Sequence, residues 1–169
     1  MAVPQGSQIA LYLPRAFFAD SWSVSVPSKN ITAMTLYIES MRRMPGWANA
    51  LMQLRNNIWA TVGLKNLGSF KEILHVKHAC DYIKGDRVGI FTVVSNEHHE
   101  VVLEDCDKHL NVRVSFYIND LGDQSHIAVT TVVHVKNWLG RLYMIPVFPI
   151  HKLILWRSMA QIRAIYKSQ

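Results

Sequence analysis

Residues 109–119, HLNVRVSFYIN, alternate without a break: Leu110, Val112, Val114, Phe116 and Ile118 fall on one side, His109, Asn111, Arg113, Ser115 and Tyr117 on the other. Period-two alternation over this length marks a β-strand with two unlike faces. It does not say which face meets the core, although the apolar one is expected to. Working outward, residues 87–95 (RVGIFTVVS), 99–105 (HEVVLED) and 125–136 (SHIAVTTVVHVK) read as three further strands separated by short polar turns. A parallel crossover needs a dozen or more residues, so connections this short make the four strands antiparallel neighbours.

Upstream, residues 20–27 (DSWSVSVP) set Trp22, Val24 and Val26 against Ser21, Ser23 and Ser25, a half-buried strand that Pro27 ends. From Asn30, the expected N-cap, Met34, Ile38 and Met41 recur at helical spacing until Pro45-Gly46 breaks the pattern. Trp47, Leu51, Leu54, Ile58 and Val62 then fall at steps of three and four, which predicts a second helix stopped by Gly63. Residues 64–84 leave strand and helix both open. The chain closes in a helix from about Arg141 to Lys167. Within it, Pro146 and Pro149 lack amide donors and disfavour a helical residue before them, so a kink or restart near 146–149 is expected. The order defines an α+β fold: a first strand, two shorter helices, a run of antiparallel strands, and a long C-terminal helix whose apolar side a curved sheet must cover.

At 169 residues the chain can bury about two-thirds of its unfolded surface in one core without a disulfide staple. Residues 1–15 read as an N-terminal extension and 16–169 as a single domain. Cys80 and Cys106 form no CxxC, which argues against a disulfide framework or zinc site and makes a reducing, cytoplasmic compartment the default. Eighteen Lys+Arg against twelve Asp+Glu give a net charge of +6, but the excess is scattered, and solvated lysines are favoured over a nucleic-acid surface. Residues 9–18 (IALYLPRAFF) are broken by Pro14 and Arg15, lack a basic region before them and are too short to span a bilayer, so no signal peptide is expected. The apolar stretch 137–154, NWLGRLYMIPVFPIHKLI, reads as a core segment rather than a membrane anchor, because the strands before it supply a sheet to bury against.

At 100° per residue from Pro149 onward, His151, Ile154, Leu155, Ser158, Met159, Ile162, Ile165 and Tyr166 gather in one arc, while Lys152, Arg163 and Lys167 lie on another. A buried imidazole without a partner costs about 1–3 kcal/mol. His151 therefore reads first as a bonded core histidine, second as the polar anchor of an apolar pocket, and third as a catalytic base. Arg113 and Tyr117 are candidates to bind a carboxylate or hydroxyl if the polar face of 109–119 lines a cavity, and surface residues if it does not. Arg141, after Gly140, is expected to tie the strand-to-helix loop to Asp105 or Asp107, with anion binding at a cavity mouth as the second reading. In DCDKH, residues 105–109, an Asx turn accounts for Asp105, Asp107 and His109 more cheaply than a metal, and no metal is expected. His98-His99 fall in a solvated hairpin turn. Without a nucleophile elbow, phosphate loop, dinucleotide fingerprint or HExxH, no cofactor is expected and most familiar enzyme classes are disfavoured, a cyclase or lyase built from a few cavity residues excepted.

DSWSV (20–24), KGDRVGIFTVV (84–94), LEDCDKHLNVRVSF (103–116), TTVVHVKNWLGRLYM (130–144) and PIHKLI (149–154) resemble the family called domain of unknown function 2867, placed among the START-like or helix-grip proteins. The resemblance runs from about residue 16 through nearly the whole chain. It implies an antiparallel sheet gripping the C-terminal helix with a cavity between them, and its better-known relatives bind sterols, lipids, polyketides or hormones. The expected function is thus binding of a small hydrophobic or amphipathic ligand, with His151, Ser158, Leu155, Arg113, Tyr117 and Arg141 as candidate contacts. The alternatives are a cyclase- or isomerase-type enzyme in which His151 moves a proton, and an interaction module beside a short-chain dehydrogenase-like partner, since the family also occurs attached to such domains. A non-enzymatic role is favoured. A peripheral membrane contact is also open, because a basic helix with broad apolar coverage can sit at an interface.

Overall fold

A computed structural model describes residues 3–44, 46–48, 50, 53 and 77–167. Six strands, β1 (Phe18–Pro27), β2 (Arg87–Val88), β3 (Phe91–Asn96), β4 (Glu100–Cys106), β5 (Leu110–Asp120) and β6 (Gln124–Val135), form one antiparallel sheet in the order β1-β6-β5-β4-β3-β2. Helix α1 (Ala33–Arg42) and the long C-terminal helix α2 (Trp138–Lys167) pack on one side of it.

The run 87–95 is two strands rather than one. Gly89 adopts φ 61°, a positive value open to glycine at little cost, and with Ile90 it reverses the chain beyond the closing pair Val88–Phe91, with Arg87–Thr92 paired next to it. Helix α1 is capped by Thr32 rather than Asn30: Thr32 has extended backbone, and its Oγ1 accepts from the Thr35 amide at 3.2 Å. The Ala33 amide donates to the His98 carbonyl at 2.9 Å, which docks the helix on the exposed β3–β4 turn. Residues 46–48, including Trp47, are helical. Leu51, Leu54, Ile58, Val62, Gly63 and residues 64–76 lie outside the described residues, and Ala79–Asp81 form a short 3-10 turn.

Helix α2 begins at Trp138, three residues earlier than expected. The Asn137 side-chain oxygen accepts from the Gly140 amide at 3.1 Å and caps the first turn. The helix then runs through Pro146 and Pro149 without stopping or restarting. Each proline removes a donor to the carbonyl four residues back, Leu142 and Ile145 respectively. Both prolines and both of those residues are exposed, so water can serve the freed carbonyls and the helix need not end.

The front of the sheet carries Val24, Val26, Val101, Leu103, Phe116, Ile118, Ile127 and Val129, buried against Met34, Leu36 and Tyr37 of α1 and Leu155, Met159, Ile162 and Ile165 of α2. The apolar face of residues 109–119 is therefore the inner one. The back is covered in part by the N-terminal segment, whose 3-10 turn Gln8–Tyr12 buries Ile9 completely against Val102 and Val132.

Candidate functional site

The sheet and α2 do not close completely on each other. Between them lies a cavity of about 190 Å³, several times the space one water requires. Its sheet wall comes from Phe18 of β1, Leu110, Val112, Val114 and Phe116 of β5, and Val129, Thr131 and Val133 of β6. Tyr143, Met144, Val147, Phe148, His151, Leu155 and Ser158 line it from α2, and Tyr37 and Met41 from α1. Alternation dictates this wall: every β5 residue in it belongs to the set 110, 112, 114, 116.

The few polar groups in this apolar wall are not equivalent. The Tyr37 hydroxyl donates to the Val88 carbonyl at 3.1 Å, and burial pushes its pKa up. Ser158 Oγ donates to the Ile154 carbonyl one helical turn back at 2.9 Å, so its hydrogen is already used inside α2. His151 differs. Its Nε2 is buried with no hydrogen-bond partner among the described residues, and its ring makes an edge contact with Phe18 at a centroid distance of 5.7 Å. Desolvation holds its pKa below the ordinary value, with the Asp20 charge opposing, so the imidazole is neutral at pH 7. Asp105 also lines the cavity. It follows Val101 and Leu103 at steps of two along β4, a signal in the sequence that should have placed it on the inner face.

His151 gives a pH prediction. A histidine with a depressed folded pKa takes up its proton in the unfolded chain first, so stability is complete above about pH 6.5, its ordinary pKa, and falls as pH drops below it. Chemical denaturation between pH 7.5 and pH 5 should show a steeper loss in the wild type than in His151→Gln. Equal slopes would mean that the imidazole is not desolvated as described.

The structure brings His151, Leu155 and Ser158 together in one wall and puts the other three candidates elsewhere. Arg113 and Tyr117 project from the back of β5. Arg113 pairs with Glu104, its cross-strand neighbour on β4, and its guanidinium lies 4.1 Å from the Tyr12 ring centroid. Tyr117 borders a shallow back-face depression with Ser21, Ser23 and His126. Arg141 is exposed and does not line the cavity. Nor does it tie the loop through Asp107, whose Oδ1 accepts from the backbone amides of His109 at 2.6 Å and Leu110 at 2.9 Å. The tie is made by Asn137, which caps α2, donates to the Lys108 carbonyl at 3.3 Å, and sits 3.0 Å from His109 Nδ1. Among the described residues no three potential metal ligands converge.

A six-stranded antiparallel sheet with a long helix laid across an apolar cavity defines an α+β protein with an internal compartment. Residues 12–158 match the family described as Protein of unknown function (DUF2867), and the chain belongs to that family. No curated protein matches the chain.

Proposed function

We propose that this protein is a START-like, helix-grip domain that holds a small, mostly apolar ligand between its sheet and α2, anchored at one polar point by His151. The observation that carries this reading is a buried Nε2 with no partner among the described residues, in the wall of a mostly apolar cavity. A ligand polar group there would remove a desolvation cost of about 1–3 kcal/mol that the empty site bears. A neutral imidazole presents either a donor or an acceptor according to its tautomer, and a hydroxyl satisfies both. A carboxylate would add a second acid to a low-dielectric space already lined by Asp105. The favoured ligand class is therefore a neutral amphipath such as a long-chain or polycyclic alcohol, ahead of a fatty acid of the same length.

Native mass spectrometry of the purified protein tests for a co-bound molecule, and displacement of an environment-sensitive probe ranks an alcohol against the matching acid. Val112→Phe, which fills the sheet wall, should weaken alcohol binding at least about tenfold by removing the space. His151→Leu should cost about fivefold, the worth of one hydrogen bond. No binding of either ligand, or affinities unchanged in Val112→Phe, would reject the reading. Asp105 and a neutral His151 in one wall also support a second reading, a proton-transfer enzyme of the cyclase or isomerase type. It requires that His151→Gln abolish turnover while leaving ligand affinity nearly intact.

A further inference from the structure

Helix α2 is apolar on both sides, yet the sheet covers only one of them. Trp138, Leu142, Ile145, Pro149, Leu153 and Trp156 recur at steps of four, three, four, four and three residues, which aligns them in one stripe along the outer face. All six are exposed, Trp138 at 69 %, Ile145 at 70 % and Trp156 at 54 %. A contiguous row of this kind marks an interaction surface rather than scattered surface apolarity.

Charge selects the occupant. From Gln124 to the last residue the sequence contains no Asp or Glu, whereas α2 carries Arg141, Lys152, Arg157, Arg163 and Lys167. At 100° per residue Arg141 and Lys152 flank the stripe on one side and Arg157 on the other, and all three are exposed. The Lys152 ammonium lies 4.5 Å from the Phe148 ring centroid and the Arg157 guanidinium 5.2 Å from that of Trp156. Aromatic rings with cations beside them suit a boundary between hydrocarbon and anionic headgroups. A two-fold pairing of this helix with its own copy would instead set cations against cations with no acid on the helix to relieve them. No helix among the described residues is long and apolar enough to cross a membrane, so the fitting geometry is in the plane of the surface.

We infer that the outer face of α2 docks this protein on anionic lipid bilayers, with Trp138, Ile145 and Trp156 entering the headgroup boundary and Arg141, Lys152 and Arg157 meeting lipid charge. Phe148, 39 % exposed, belongs both to the cavity wall and to the border of this face, which places the internal compartment next to the bilayer. The docking itself does not depend on what the cavity holds.

Flotation of the full chain with phosphatidylcholine vesicles, with and without phosphatidylglycerol, tests the inference. Binding should require phosphatidylglycerol and weaken as salt rises. The triple variant Trp138→Ser, Ile145→Ser, Trp156→Ser and the charge variant Arg141→Glu, Lys152→Glu, Arg157→Glu should each lower partitioning at least about tenfold. Circular dichroism checks that both remain folded; because the residues are exposed, single substitutions at each position provide the same readout should a triple variant unfold. A wild type that stays unbound at low salt overturns the inference. So does binding unaffected by either set, or a solution dimer that the apolar substitutions dissociate. Cavity binding measured without vesicles is a separate readout, so failure here leaves the ligand proposal standing.

Discussion

Gly140→Ala should lower the unfolding free energy by roughly 2–3 kcal/mol, although alanine is favoured over glycine inside a helix by about 1 kcal/mol. The sign follows from what a β-carbon would meet. Built on Gly140, it would stand 2.5 Å from the His109 carbonyl oxygen and 2.9 Å from Val135 Cγ1. The first of these is backbone and already accepts from the Lys136 amide at 2.8 Å, so it cannot retreat without breaking a bond of the loop. Glycine at this position lets the first turn of α2 lie directly on the β4–β5 turn. Urea denaturation of the variant measures the cost. Adding Val135→Ala relieves the side-chain contact and should recover only part of it, because the carbonyl contact remains. A neutral or stabilised Gly140→Ala would show that α2 does not approach the turn this closely.

The same junction shows where sequence reasoning stops. Alternation in β4, β5 and β6 and helical spacing in α1 and α2 are local periodicities, and they gave the class of fold together with the inner face of β5. Caps and tight turns depend on single hydrogen bonds that several neighbours can supply, and here the choices moved. Thr32 rather than Asn30 caps α1, Gly89 splits one expected strand into two, and Asn137 performs the joining role expected of Arg141. The prolines of α2 misled for a different reason. Their cost depends on whether the freed carbonyls can reach water, and that is settled by which side of the helix the sheet covers.

For the candidate site the limit was partnership between distant residues. His151, Leu155 and Ser158 could be grouped by rotation about α2, yet nothing local shows that Ser158 is bonded inside its own helix while His151 Nε2 has no partner among the described residues. Arg113 suits a ligand carboxylate by its planar guanidinium only where the polar face of its strand lines a cavity. Its actual partners, Glu104 across the ladder and Tyr12 in the N-terminal segment, come from an adjacent strand and from residues about a hundred positions away. Asp105 was legible by its spacing from Val101 and Leu103, but a turn reading of DCDKH competed with it.

Glu100→Ala should be the most damaging substitution on the back of the sheet, at about 3 kcal/mol, because this buried carboxylate gathers four donors, three from the N-terminal segment and one from β5. Its Oε1 accepts from Ser7 Oγ and Ser115 Oγ, each at 2.6 Å, and from the Ile9 amide at 3.4 Å; Oε2 accepts from the Gln8 amide at 2.6 Å. Removing it strands those donors and frees the 3-10 turn that buries Ile9 against Val102 and Val132. Glu100→Gln should cost less, since the serine hydroxyls can rotate to suit an amide whereas the Gln8 amide, which can only donate, cannot. Hydrogen exchange separates this tether from a general weakening. In Glu100→Ala the Gln8 and Ile9 amides should lose protection well before those of β5 and β6, because the N-terminal turn opens without the sheet. Unchanged protection at Gln8 would mean that Ile9 burial alone holds the segment down. The energetics of the two faces then differ in kind: behind the sheet a carboxylate is satisfied several times over by its own chain, and in front an imidazole nitrogen has no such partner among the described residues, which is why the front is where a ligand has something to contribute.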